Sequence, residues 1–149
     1  MLHYSPCEIE VGELRLCRLC FCHAHISHNC LWGGMTPKGL DCSGLVRWSF
    51  LMNGILLPRN ASQMIHCGDE VPLSGSYGSF CIDCLQRGDL VFFGTPASEG
   101  AKQRVTHVGI YIGGGRIIHS SHMVRVNSLV PAEADYYENA HRLIAARRL

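Results

Sequence analysis

The chain has 149 residues with a formal net charge of +1, and 47% of its residues are hydrophobic against 17% that are charged. This composition is typical of one globular domain that is long enough to bury a core. The basic residues form no stripe, which argues against binding to nucleic acid or to a membrane surface. No apolar run is long enough to span a bilayer, and the N-terminus shows no pattern of a signal peptide.

The cysteines are numerous for this length, nine in all. An odd count does not favour a disulfide framework, so we expect reduced thiols. Two pairs have Cys-x-x-Cys spacing, Cys17 with Cys20 and Cys81 with Cys84. Four thiolates could hold a structural zinc ion. However, the pairs lie more than sixty residues apart, so we expect no metal site and treat these cysteines as small apolar side chains.

The first half of the chain has a helical pattern. Residues 12–25 form a predicted first helix, and residues 26–41 a loop rich in His, Asn, Gly and Pro. Residues 42–53 are apolar nearly all round, with Asp41 at the N-cap position and Gly54 just past the end, which predicts a buried central helix. A shorter helix is predicted over residues 58–66, followed by an irregular segment over residues 67–88.

From Gly88 onward the pattern changes to that of β-strands. We predict strands over residues 90–93, 105–112, 116–120, 124–127 and 142–146. Helices followed by strands indicate an α+β domain in which the sheet packs on the buried helix.

Cys42 opens the buried helix. The partial positive charge and the unpaired amides of a helix N-terminus lower the pKa of a thiol, and the same amides can stabilise an oxyanion. Gly44 keeps the first turn slim where a substrate would approach. The alternative is a buried structural cysteine, because cysteine is among the most buried residue types. The local sequence alone slightly favours that alternative.

Two histidines favour the interpretation of Cys42 as a nucleophile over that of a structural cysteine. In the predicted strand over residues 105–112, His107 shares a face with Val105, Gly109 and Tyr111. A glycine connection of odd length, residues 113–115, puts His119 on the same face, either opposite His107 or one pair diagonal. A second imidazole can then fix the tautomer and orientation of the first, which favours a nucleophile–base–orienter set with Cys42.

Several motifs, in matching order and spacing, resemble the NlpC-type cell-wall endopeptidases. They are LWGG at residues 31–34, GLDCSGL at 39–45, LPR at 57–59, GDLVFFG at 88–94, THVGIYIG at 106–113 and IHS at 118–120. The resemblance covers residues 31–128, and residues 139–148 are similar to the family's closing strand. It implies a papain-like α+β fold, with the nucleophile-bearing helix packed on an antiparallel sheet. Residues 1–149 would form a single domain, with a divergent N-terminal helix region over 1–30 and the motif-bearing core over 31–149.

The function that this resemblance implies is that of a cysteine peptidase acting on peptidoglycan. The expected substrate is a murein stem peptide or its fragments, cut between γ-D-glutamate and a diamino acid, lysine or diaminopimelate. Carried over by motif, Cys42 would be the nucleophile, His107 the general base and His119 the orienting residue. The expected substrate-binding residues are Asp41, Ser43, Trp32, Ser120 and Cys30. No cofactor is required, and we expect a monomer that works either in the bacterial cytoplasm, in wall recycling, or outside the membrane.

Cys30 departs from the family pattern. The family usually has a tyrosine there, and its hydroxyl is thought to reach the catalytic centre, whereas a thiol is a shorter and weaker donor. Loss of one transition-state donor can cost about a hundredfold in rate, so an active enzyme needs a replacement, for which Ser43 and Ser120 are the candidates. Two alternatives therefore stay open: a weakened or inactive binding or metal-holding module, and a related Cys–His wall amidase or acyltransferase.

Overall fold

The computed structural model describes residues 33–36, 39–76 and 79–149. In this part of the chain α1 spans Cys42–Leu51 and α2 is a single turn, Ala61–Met64. The predicted central helix is confirmed and ends two residues earlier than expected. The second helix is shorter than residues 58–66, because Asn60 is still extended and stands at its N-cap. The helix predicted over residues 12–25 lies outside the described residues.

The second half of the chain is built of strands, as predicted. The strands of the described part are β1 (Met35–Thr36), β2 (Gly39–Leu40), β3 (Asp69–Glu70), β4 (Ser74–Ser76), β5 (Ser79–Cys81), β6 (Leu90–Thr95), β7 (Arg104–Gly113), β8 (Arg116–Ser121), β9 (Met123–Ser128) and β10 (Leu143–Arg148). The prediction of an irregular segment over residues 67–88 is wrong in part, because β3, β4 and β5 lie there.

One sheet of six strands organises the fold. Its strand order is β3-β10-β6-β7-β8-β9, and every neighbouring pair is antiparallel. The remaining strands form two small ribbons, β1 with β2 and β4 with β5. A helix packed on an antiparallel sheet confirms the predicted α+β class. Among the described residues, no helix combines the length and apolar character needed to cross a bilayer.

The core has one layer on each face of the sheet. On one face α1 packs against β7 and β8, and Leu45, Val46 and Phe50 are fully buried there beside Val108 and Ile110. Burying a side chain of this size stabilises a fold by about 1.5–3 kcal/mol. The opposite face has its own cluster of buried side chains, which includes Phe93, Tyr111, Ile117, Tyr137 and Leu143.

A bulge in β7 changes the side on which Val105 lies. Phe93 pairs with His107, but the next residue, Gly94, pairs with Val105. Thr106 is therefore an extra residue that reverses the alternation. Val105 packs with the cluster on the α1 side, whereas the His107 ring lies near Phe93 on the opposite face. The prediction that Val105 shares the face of His107 is wrong for this reason.

Candidate active site

The first turn of α1 is held by Asp41. This residue is extended and accepts a hydrogen bond from the Gly44 amide at 2.7 Å, which confirms the predicted N-cap. A Cβ atom at Gly44 would lie 2.5 Å from the Gly34 carbonyl oxygen. The glycine is therefore required by the close approach of the preceding chain, which is a packing reason that the sequence did not reveal.

Arg59 forms a network with the two residues that flank Cys42. Its guanidinium donates to Asp41 Oδ2 at 2.6 Å and Oδ1 at 3.1 Å, and to Ser43 Oγ at 2.8 Å. Ser43 in turn donates to Asp41 at 3.3 Å. Asp41 and Ser43, expected to bind substrate, thus have partners within the protein. Arg59 was part of a recognised motif, but its contact with Asp41 depends on the folded path of the chain.

Cys42 is half-buried and lines a cleft of about 420 Å³. The cleft is also lined by Ser43 and Arg59, and by Val105 and Thr106, the two residues that precede His107. The start of α1 and the histidine-bearing strand therefore meet at the same cleft. Trp32 and Cys30, two further expected site residues, lie outside the described part of the chain.

The two histidines form a direct pair. His119 lies opposite Gly109 in the β7–β8 register, so His107 is one pair diagonal to it, as predicted. The imidazoles meet at 2.8 Å between His107 Nε2 and His119 Nδ1, with their planes at 84°. The expected odd connection is in fact a short turn combined with a bulge between Tyr111 and Gly113, which has the same effect on the side chains.

Asn127 fixes the tautomers of this pair and was not expected from the sequence. Its Nδ2 donates to the Asp135 carbonyl oxygen at 2.8 Å, so its Oδ1 faces His119 Nε2 at 2.9 Å. An amide oxygen only accepts, and His119 Nε2 must carry the proton. Neutral His119 then accepts at Nδ1 from His107 Nε2–H. The remaining nitrogen of His107, Nδ1, is left with a lone pair that can accept a proton.

Both imidazoles are neutral at neutral pH. Burial lowers the pKa of His107 to about 3, with further lowering by the charges of His119 and Arg125. Burial also lowers the pKa of His119 to about 4; its hydrogen bond with Asn127 opposes this shift, and the charge of Arg125 adds to it. A neutral pair is the state in which His107 can act as a base.

Tyr137 is a second residue that the sequence did not single out. Its buried ring lies 4.6 Å from the His119 ring and 5.8 Å from the His107 ring, measured between centroids. Burial raises the pKa of this phenol, a hydrogen bond with Asn139 opposes the shift, and the Cys42 thiol raises it further. Tyr137 thus packs against both imidazoles.

Ser120 belongs to the fold. It is buried, and its hydroxyl donates to the Leu40 carbonyl oxygen at 2.6 Å. Since a hydroxyl has a single proton to donate, Ser120 cannot donate to a substrate while it keeps this hydrogen bond. The hydroxyl of Ser43 likewise donates to Asp41. Both candidates for a replacement donor therefore already donate their proton to a partner within the protein.

The thiol pairs form no visible metal centre among the described residues. No group of three His, Cys, Asp or Glu side chains is close enough there to hold an ion. Cys81 and Cys84 are exposed, and the Cys81 thiol donates to Asp83 at 3.0 Å. Cys17 and Cys20 lie outside the part of the chain that the structure describes.

A cysteine that opens a buried helix, packed on an antiparallel sheet that carries a histidine pair, defines a papain-like α+β domain. Among known proteins, the model of the NlpC/P60 family matches residues 28–145. The chain belongs to the NlpC/P60 family. A solved NlpC/P60 family protein from Bacillus cereus ATCC 10987 superposes with a TM-score of 0.71 at 26% identity, covering 90% of this chain and 39% of that one.

Two curated relatives carry names that describe an activity. The γ-D-glutamyl-L-lysine dipeptidyl-peptidase of Bacillus subtilis strain 168 is 36% identical over 118 residues, which is 79% of this chain. The murein DD-endopeptidase MepH of Escherichia coli K12 is 35% identical over 120 residues, again 79% of this chain. The matched regions span only 35% and 40% of those relatives. The relatives are thus peptidases that are much longer than the region they share with this chain.

Proposed function

We propose that the chain is a cysteine peptidase that hydrolyses murein stem peptides at the bond between γ-D-glutamate and a diamino acid. The observation that carries the proposal is the contact of 2.8 Å between His107 and His119, next to the cleft that Cys42 lines. The names of the relatives support the reaction class. As part of the same proposal, residues 1–149 form a single domain.

The proposed reaction is acyl transfer to sulfur followed by hydrolysis. Cys42 attacks the carbonyl carbon while His107 Nδ1 takes the thiol proton, and His119 supports the imidazolium that forms. The first amides of α1 stabilise the oxyanion, although the Gly44 amide is bonded to Asp41. His107 then protonates the leaving amine, the C–N bond breaks, and water releases the acyl group with His107 again as base.

Arg59 and Asp41 would have a supporting part in this scheme. Their ion pair, with 2.6 Å between Nη2 and Oδ2, links the start of α1 to the chain beyond it. Both residues line the cleft, together with Asn60 and Ser62. A polar wall of this kind suits the charged and amide groups of a stem peptide better than a long acyl chain, which favours the peptidase over an acyltransferase.

The test is hydrolysis of two synthetic tripeptides, L-Ala-γ-D-Glu-diaminopimelate and its L-lysine analogue, with the products identified by mass. We expect release of the free diamino acid from at least one of them. Cleavage at the L-Ala bond would favour an amidase of different specificity. If folded, reduced protein cleaves neither peptide, the proposal fails and a non-catalytic binding module becomes the better description.

A further inference from the structure

A second cavity lies beside the histidine pair, at the edge strand β9. It has a volume of about 200 Å³ and is lined by Arg125, Asn127, Tyr136, Tyr137 and Glu138. None of these residues lines the cleft that contains Cys42. The cavity is nevertheless close to the imidazoles, because Asn127 bonds directly to His119.

Arg125 brings to this cavity a positive charge that forms no ion pair with a described residue. It lies opposite His119 in the β8–β9 register. Its Nε atom is buried and has no hydrogen-bond partner among the residues that the structure describes, and none of their ion pairs includes Arg125. A buried donor without an acceptor costs free energy. An arginine side chain that lines a cavity can hold a carboxylate in two-pronged fashion.

Glu138 supplies the opposite charge. It is exposed and lines the same cavity as Arg125, yet these two side chains are not among the ion pairs that the described residues form within 4.0 Å. The cavity therefore offers one cationic and one anionic group with room between them. That arrangement is complementary to an amino-acid centre, which carries an ammonium and a carboxylate on the same carbon.

The cavity borders the imidazole pair that would protonate the leaving group. In the proposed reaction the acyl part is bound to Cys42, and His107 delivers a proton to the departing amine. The diamino acid therefore leaves from the imidazole side of the centre. Tyr137, which forms part of the cavity wall, packs against His107 and His119.

We propose that this cavity binds the distal amino-acid end of diaminopimelate, with its carboxylate on Arg125 and its ammonium on Glu138. The inference rests on the proposed function. Lysine has the same ammonium at that end of its side chain but lacks the carboxylate. Arg125 accordingly selects diaminopimelate peptides over lysine peptides, whereas Glu138 contributes to the binding of both.

The test compares Arg125→Gln, Glu138→Gln and the wild type on the two tripeptides. Arg104→Gln, at the exposed start of β7, is the matched control. We expect Arg125→Gln to lower kcat/KM for the diaminopimelate peptide about tenfold relative to the lysine peptide, as for one lost charge-assisted hydrogen bond. Removing the Arg125 charge also affects both imidazoles, but that effect is common to both peptides and cancels in the ratio.

A binding measurement separates this inference from the peptidase reaction. Titration of both peptides into Cys42→Ala, with and without Arg125→Gln, needs no turnover. A diaminopimelate preference that Arg125→Gln removes supports the cavity even if the wild type cleaves nothing. An unchanged preference, or an equal loss for both peptides, overturns it. If Glu138→Gln weakens neither peptide, the ammonium part of the inference is wrong.

Discussion

At the scale of single residues, the proposed reaction depends on the chain of hydrogen bonds that ends at His107. The Asp135 carbonyl orients Asn127, Asn127 orients His119, and His119 accepts from His107. Each step has one possible direction, because a carbonyl oxygen only accepts. The chain leaves His107 Nδ1 as the basic atom. In the proposed reaction Asn127 would therefore be a positioning residue that acts through His119.

Replacement of Asn127 by leucine tests this role. Loss of the acceptor for His119 Nε2–H should lower kcat/KM by roughly tenfold to a hundredfold, the range for a lost hydrogen bond to a pair that becomes charged. Asn53→Leu, two residues past the end of α1, is the control. An Asn127→Leu enzyme with wild-type kcat/KM would contradict the assignment.

The acid limb of the kcat/KM profile against pH gives a second readout for Asn127. A purely structural role of this residue would not shift that limb. The wild-type base is protonated only near its pKa of about 3, so activity should persist well below pH 6.5, the ordinary value for histidine. Asn127→Asp keeps the acceptor and adds a negative charge, which raises the pKa of both imidazoles. The acid limb should therefore move to higher pH in this variant.

At the scale of secondary-structure elements, one hydrogen bond links the sheet to the start of α1. Ser120 on β8 donates to Leu40 of β2, immediately before the Asp41 cap. Ser120→Ala would leave the buried Leu40 oxygen without this donor and should lower the free energy of unfolding by about 1–3 kcal/mol. Urea unfolding measures this loss, with Ser121→Ala as the control.

The same variant distinguishes a structural serine from one that binds substrate. A structural Ser120 predicts reduced stability with little change in KM. A raised KM at unchanged stability would restore the sequence-based expectation that Ser120 contacts the substrate.

The elements that sequence reasoning recovered are those whose signals are local. Asp41 before an apolar run predicts a capped buried helix, and strand alternation combined with a glycine connection predicts the pairing of His107 with His119. Asn127 and Arg59 were not assigned roles, because their partners are eight and eighteen residues away and depend on register or loop path. The β7 bulge was also not predicted, since nothing in the local pattern indicates that Thr106 is an extra residue.

At the scale of the whole molecule, the buried imidazoles couple stability to pH. The unfolded chain protonates its histidines near pH 6.5, but the folded chain keeps His107 and His119 neutral down to about 3 and about 4. Between these pH values the unfolded state binds more protons than the folded state. The contribution of these two histidines to the free energy of unfolding is therefore complete above about pH 6.5. It is lost as the pH falls towards 4.

Urea unfolding at about pH 7 and about pH 5 tests this coupling. The loss of unfolding free energy between the two should be smaller in His107→Gln than in the wild type, because one buried site no longer titrates. His66→Gln, which removes an exposed histidine, should behave as the wild type. Equal pH dependence in all three proteins would show that His107 is not held neutral by the fold.

The most direct test of the central claim is the cleavage of the two tripeptides by Cys42→Ala beside Cys84→Ala. Cys42 opens α1 at the cleft, whereas Cys84 is an exposed cysteine outside it. We predict no detectable release of the diamino acid by Cys42→Ala, and wild-type release by Cys84→Ala. Continued cleavage by folded Cys42→Ala protein would contradict the account.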